Sequence, residues 1–198
     1  MRSFVSRVSS TNYGAAWIAR AQHGLAVCQA ACDSGQEPAI VQVIEVHNAN
    51  LNHYFLTANA LEAEQIDAGP AGQGWTRTNR SFKASQGTQG TPASMGLANV
   101  CRFYGTPGRG PNSHFYTAFA GECTGVQLDP GWQLEDPEAF AILLPGAATP
   151  CERPVYRAYN NRAAFNDSNH RYMTDRADYD AMVADGWTGE GQVFCALP

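Results

Sequence analysis

One motif occurs three times along this chain, and that recurrence limits the fold more than any other feature. Val43-Ile44-Glu45-Val46-His47-Asn48, Val100-Cys101-Arg102-Phe103-Tyr104-Gly105 and Val155-Tyr156-Arg157-Ala158-Tyr159-Asn160 align without gaps. After a polar, turn-rich loop each is followed by a second element: Asn52-His53-Tyr54-Phe55-Leu56-Thr57, Ser113-His114-Phe115-Tyr116-Thr117-Ala118 and Asn169-His170-Arg171-Tyr172-Met173-Thr174. An acid comes next (Glu62, Glu122 or Asp178), then a Gly-Trp pair ending at Trp75, Trp132 or Trp187, and finally Phe82, Phe140 or Phe194. Successive Trp residues are 57 and 55 positions apart, so the period is fixed. A unit of about 45 residues buries its own apolar face poorly, and three such units are expected to share one core.

Each copy reads as two strands rich in Val, Tyr and Phe, a short helix, and a hairpin that starts at Gly-Trp. Ala60 to Ile66 and Ala177 to Val183 carry helix formers, whereas Ala120 to Gly125 reads only as a turn. In the third copy Gly189-Glu190-Gly191 supplies a hairpin turn. The expected fold is mainly β with short helices (α+β). Its three pseudo-threefold repeats, about residues 41–85, 98–143 and 153–198, would form a closed array, propeller-like or trefoil-like. Residues 1–40 do not match the motif. They read as a separate segment, the tail of an upstream domain, joined to residues 41–198 by the linker Ser34 to Pro38.

Charge narrows the partners. Thirteen Lys and Arg against eighteen Asp and Glu give a net charge of -5, which lacks the cationic surface that nucleic acid requires. No apolar run is long enough to span a bilayer, and the N-terminal stretch has no signal-type apolar core, so Met1 is not expected to be the natural start of an exported polypeptide. The six cysteines form no C-x-x-C pair and fit an oxidising, extracellular setting. The register of the motif pairs Cys101 with Cys123 and Cys151 with Cys195 inside their units, leaving Cys28 for Cys32.

Three histidines, three tryptophans and three acids recur. His53, His114 and His170 are read as structural groups satisfied by local partners. The alternative is a three-imidazole metal site on a common axis. Trp75, Trp132 and Trp187 are read as core wedges, against an alternative as sugar-stacking faces. Glu62, Glu122 and Asp178 read as helix-terminus or turn anchors. By strand alternation Tyr54, Phe115 and Arg171 share one outward position, and with Asn161 and Arg162 they form a candidate ligand surface. No metal and no cofactor is expected.

The sequence holds no G-x-S-x-G, H-E-x-x-H or nucleotide-binding motif, and chemistry present in triplicate suits multivalent binding better than catalysis. With the elements P-V-Y-R-A-Y-N, N-H-R-Y-M-T-D and G-W-T-G-E-G in view, residues 41–198 resemble a secreted repeat family of unknown function. Its signature is roughly H-F-Y-T, an acid, G-W and E-G. The resemblance implies export, in bacterial and fungal proteins that often carry a hydrolase domain, and it transfers no catalytic residue. Copy one departs from the E-G element with Thr78-Asn79-Arg80, and copy two with Glu135-Asp136-Pro137. The expected function is a non-catalytic extracellular module binding glycan or cell-envelope material. Two alternatives stand beside it: a ligandless structural or protein-interaction domain accompanying the catalytic domain of its parent protein, and a hydrolase without a recognisable motif.

Overall fold

A computed structural model describes residues 39–69, 71–87, 96–146 and 150–198. The segment 1–38, with the proposed Cys28–Cys32 pair, lies outside the described residues. One order of elements occurs three times. The first set is β1 (Ile40–Asn48), β2 (His53–Thr57), α1 (Ala60–Asp67) and β3 (Trp75–Ser85). After β4 (Leu97–Asn99) come β5 (Cys101–Gly105), β6 (His114–Thr117), α2 (Ala120–Gln127) and β7 (Trp132–Asp136). After β8 (Ala141–Leu143) come β9 (Pro154–Tyr159), β10 (His170–Met173), α3 (Arg176–Ala184) and β11 (Thr188–Cys195). In each set the first strand lies between the other two, antiparallel to both.

The chain is mainly β with three short α-helices among the described residues, but the expected closed array is not what forms. Backbone hydrogen bonds divide the strands into two sheets. One has eight strands in the order β10-β9-β11-β8-β3-β1-β2, with β4 also on β8, and the other is the separate set β6-β5-β7. Both have free edges, so neither a barrel nor a propeller results. The division begins at Pro137. Where β3 runs unbroken over eleven residues, the corresponding stretch of the second set stops at Asp136, whose carboxylate accepts from the Glu138 N–H at 2.8 Å, and resumes only at Ala141. A proline has no N–H for a ladder. The resumed piece, β8, pairs chiefly with β4, the stretch just before β5, as the end of β3 pairs with the start of β1, and single pairs with β3 and β11 carry it into the larger sheet.

Side chains, more than backbone ladders, join one set to the next. The Tyr116 hydroxyl donates to Leu56 O at 2.7 Å and accepts from Leu56 N at 3.1 Å. Tyr172 treats Tyr116 in the same way, at 2.7 and 2.9 Å. Phe82, Phe140 and Phe194 meet edge to face in the core, at 6.0 and 6.2 Å between centroids.

Two other expectations change. Ala120–Gln127 is a helix and not a turn, although its N-cap Phe119 offers no side-chain acceptor. The helix is anchored instead by the Cys101–Cys123 disulfide to β5. The hairpin expected at Gly189-Glu190-Gly191 is a bulge within one strand, with Glu190 the extra residue and Gly191 at φ 79°. Glu135 bulges from β7 in the same way, and Asn79 of β3 has φ 62°. A bulge re-aims the side chain it carries. The second disulfide, Cys151–Cys195, closes a 44-residue separation. Beyond β11 the chain returns to β3, where Leu197 bridges Lys83, close to the Ser85 that faces Ile40 at the start of β1.

Candidate functional site

Strand register decides which side chains correspond. His47 faces Tyr54, Tyr104 faces His114 and Tyr159 faces His170. The counterpart of His114 and His170 is therefore Tyr54, and each pair is in ring contact, at 4.5, 4.9 and 4.8 Å between centroids. His53 lies one residue earlier, opposite Asn48. A one-residue slip reverses the face a side chain occupies, so Tyr54, Phe115 and Arg171 do not share one outward position. Phe115 and Arg171 correspond to Phe55.

The three histidines occupy different surroundings. His53 is buried between sets, with Nδ1 2.9 Å from Asn112 O and Nε2 2.7 Å from Asp167 Oδ1. His114 lies 3.3 Å from Glu135 and His170 3.6 Å from Glu190. Burial, aided by the Arg157 charge, pushes His170 down to about 3, so this ring is neutral. Among the described residues no three His, Cys, Asp or Glu side chains gather as a metal site.

The recurring acids sit in the first turns of the helices and reach across to another set. Arg102 Nη1 donates to Glu62 at 2.9 Å, and its Nε lies 2.7 Å from the bulged Glu135. Arg157 is buried, holds Glu122 through two bonds of 3.0 and 2.9 Å, and donates to the bulged Glu190 at 2.6 Å. Burial raises the Glu122 pKa, but the Arg157 bonds outweigh it and hold the carboxyl below its usual range. Glu190 goes the other way, raised by burial. The third junction is inverted in charge. Glu45 stands where the others have Arg, and Arg171 supplies the cation at 3.0 and 3.1 Å while stacking over Tyr54 at 4.4 Å. Asp178 is held by Arg80 at 2.8 Å.

Of the proposed ligand surface, Phe115 is buried beneath Arg157, at 4.9 Å, and Arg171 is committed to Glu45. Asn161 and Arg162 are exposed but far from idle: Asn161 bonds Gly186 O and Thr188, and Arg162 pairs with Asp167 and lies over Phe165. The three recurring tryptophans are half-buried. Trp75 packs edge-on to Phe55, Trp132 lies beside Phe115 and Trp187 is edge-on to Tyr54.

A cleft of about 760 Å³ opens where the first and second sets meet. Phe55, Trp75, Tyr104 and His114 supply its aromatic lining; Asn48, Asn50, Gln65, Gln73 and Asn112 supply amides; Glu62 and Glu135 are its acids. Tyr104 donates to Asn112 Oδ1 at 2.8 Å, and Asn48 Oδ1 accepts from the N–H groups of Asn50 and Leu51, which fixes the rim. Gly74, at φ 96°, lies so close to Asn50 that a Cβ would stand 2.6 Å from its Nδ2. Part of the wall is Ala71, Gly72 and Gln73, from the loop before Trp75. That loop is long in the first set alone: thirteen positions separate Glu62 from Trp75, ten separate Glu122 from Trp132, and nine separate Asp178 from Trp187. This spacing was the available sign of the cleft, whose Asn112, Gln65 and Gln73 lie outside the motif and whose Tyr104, though within it, was not read as a site residue.

A family model described as Domain of unknown function (DUF5648) matches residues 42–197. No curated protein and no solved structure matches the chain.

Proposed function

The chain belongs to that family, and on this premise we propose that it is a non-catalytic extracellular module that binds glycan in the cleft between its first and second sets. The observation that carries the reading is the lining itself. An aromatic face at Trp75 and Tyr104 suits the apolar side of a pyranose ring, and the amides and acids around it suit hydroxyl groups. Two disulfides fit an oxidising compartment, where such a module would attach its parent protein to a wall or matrix. A non-catalytic role is supported by the state of the acids: Glu62 and Glu135 both hold Arg102, and the His114 bond, with Arg102, keeps the Glu135 carboxyl below its usual range, a poor setting for a general acid.

The test is retention of the protein on a panel of polysaccharides and cell-wall preparations. Wild type is expected to be held by at least one, and Trp75→Ala and Gln73→Ala to weaken that retention about tenfold or more for the stacking residue and less for the amide. A blank across the panel would favour a ligandless packing domain.

A further inference from the structure

Charge in the same cleft selects among glycans. Its described lining contains two carboxylates, Glu62 and Glu135, and no Lys or Arg. Among the described residues the one permanent cation in contact with them, Arg102, is mostly buried and serves both acids, with the His114 ring beside Glu135. The nearest protein partners of these acids meet Oε2. In Glu62 this atom accepts from Thr57 Oγ1 at 2.5 Å and Arg102 at 2.9 Å, and in Glu135 it faces Arg102 at 2.7 Å and His114 at 3.3 Å. Among the described residues each Oε1 is left without a protein donor. Two negative charges against one positive charge leave a net anion in a half-enclosed site, where screening is weaker than on an open surface. Residues 38–198, with ten Lys and Arg against sixteen Asp and Glu, add to the same field.

Resting on the glycan reading, we infer that the ligand carries a free amine, as in a deacetylated amino-sugar polymer, and that the cleft rejects uronic-acid polymers. An ammonium group would bring the local charge to balance and could donate to the unused oxygens. A uronate would face two carboxylates with no free cation to meet it.

Calorimetric titration of the protein with matched oligomers of glucosamine, N-acetylglucosamine and galacturonate, in buffer near about pH 7 where much of the amine is still charged, separates the possibilities. Glucosamine oligomers are expected to bind about fivefold tighter than the acetylated ones, the upper range for a partly exposed ion pair. That margin should shrink in high salt and in Glu62→Gln and Glu135→Gln, whose folding is checked by circular dichroism. Equal or tighter binding of the acetylated or galacturonate oligomer overturns the charge inference and leaves the glycan reading standing. Binding of none of the three, with retention on another polysaccharide of the panel, overturns the charge inference alone, and a blank on that panel as well overturns both.

Discussion

His170 and Arg157 illustrate how a single buried group sets conditions on the whole fold. The ring of His170 is neutral when folded, with its pKa at about 3, while an unfolded histidine titrates near about 6.5. Between those values the unfolded chain takes the proton and the folded one does not. Stability is therefore complete above about pH 6.5 and falls as pH drops toward 3, at up to about 1.4 kcal/mol per pH unit from this group. Glu122, Glu135 and Asp167, whose folded pKa values are lowered, add loss in the same direction below the usual carboxylate range. Urea midpoints measured from pH 7 to pH 4 should fall steadily, and His170→Phe should flatten the upper part of that curve. Arg157→Met should cost about 3 kcal/mol, because it strands Glu122 and Glu190 at a half-buried site. Arg80→Ala, at a pair whose cation is 51% exposed, should cost about 0.5 kcal/mol, and thermal melts of the two variants would expose the difference. At this scale the sequence showed which residues recur, and it misaligned one of them. A histidine at position 53 drew the first copy one residue out of step, and only the facing partners His47 and Tyr54 correct it.

Among the elements, α2 is the one whose local sequence argues against it. Its N-cap is Phe119, 36% exposed and without an acceptor, whereas Asn59 and Asp175 cap α1 and α3 with two backbone bonds each. Phe119→Asp should therefore stabilise the protein by about 1 kcal/mol in thermal melts. Reduction of Cys101–Cys123 should remove about 3 kcal/mol in the chain-entropy account, and amide exchange in α2 should accelerate more than in α3. The strand, strand, helix, strand order was legible because Val-rich runs, turn residues and Gly-Trp pairs are local signals. The seams were not. Tyr116 reading Leu56, or Arg157 reading Glu122, joins positions 60 and 35 residues apart, and nothing in either neighbourhood names the partner. Tyr116→Phe tests one seam directly: it leaves both polar groups of Leu56 without the hydroxyl and should cost about 1 to 3 kcal/mol.

For the whole molecule, recurrence in sequence suggested closure in space, and Pro137 is where that inference fails. Equivalent segments need not close a ring: β8 keeps its equivalent partner, β4 just before β5, yet β10 and β2 remain the free edges of the larger sheet. The path of the chain has a mechanical corollary. Ile40 enters beside Ser85, and Leu197 leaves beside Lys83, so the first strand and the last described residues grip one short stretch of β3. Tension applied through those ends passes across that clasp and not through the wall formed by Trp75 and Gln73. Under load the fold would thus begin to part at Lys83 to Ser85, at the far end of β3 from Trp75, while the cleft stayed assembled.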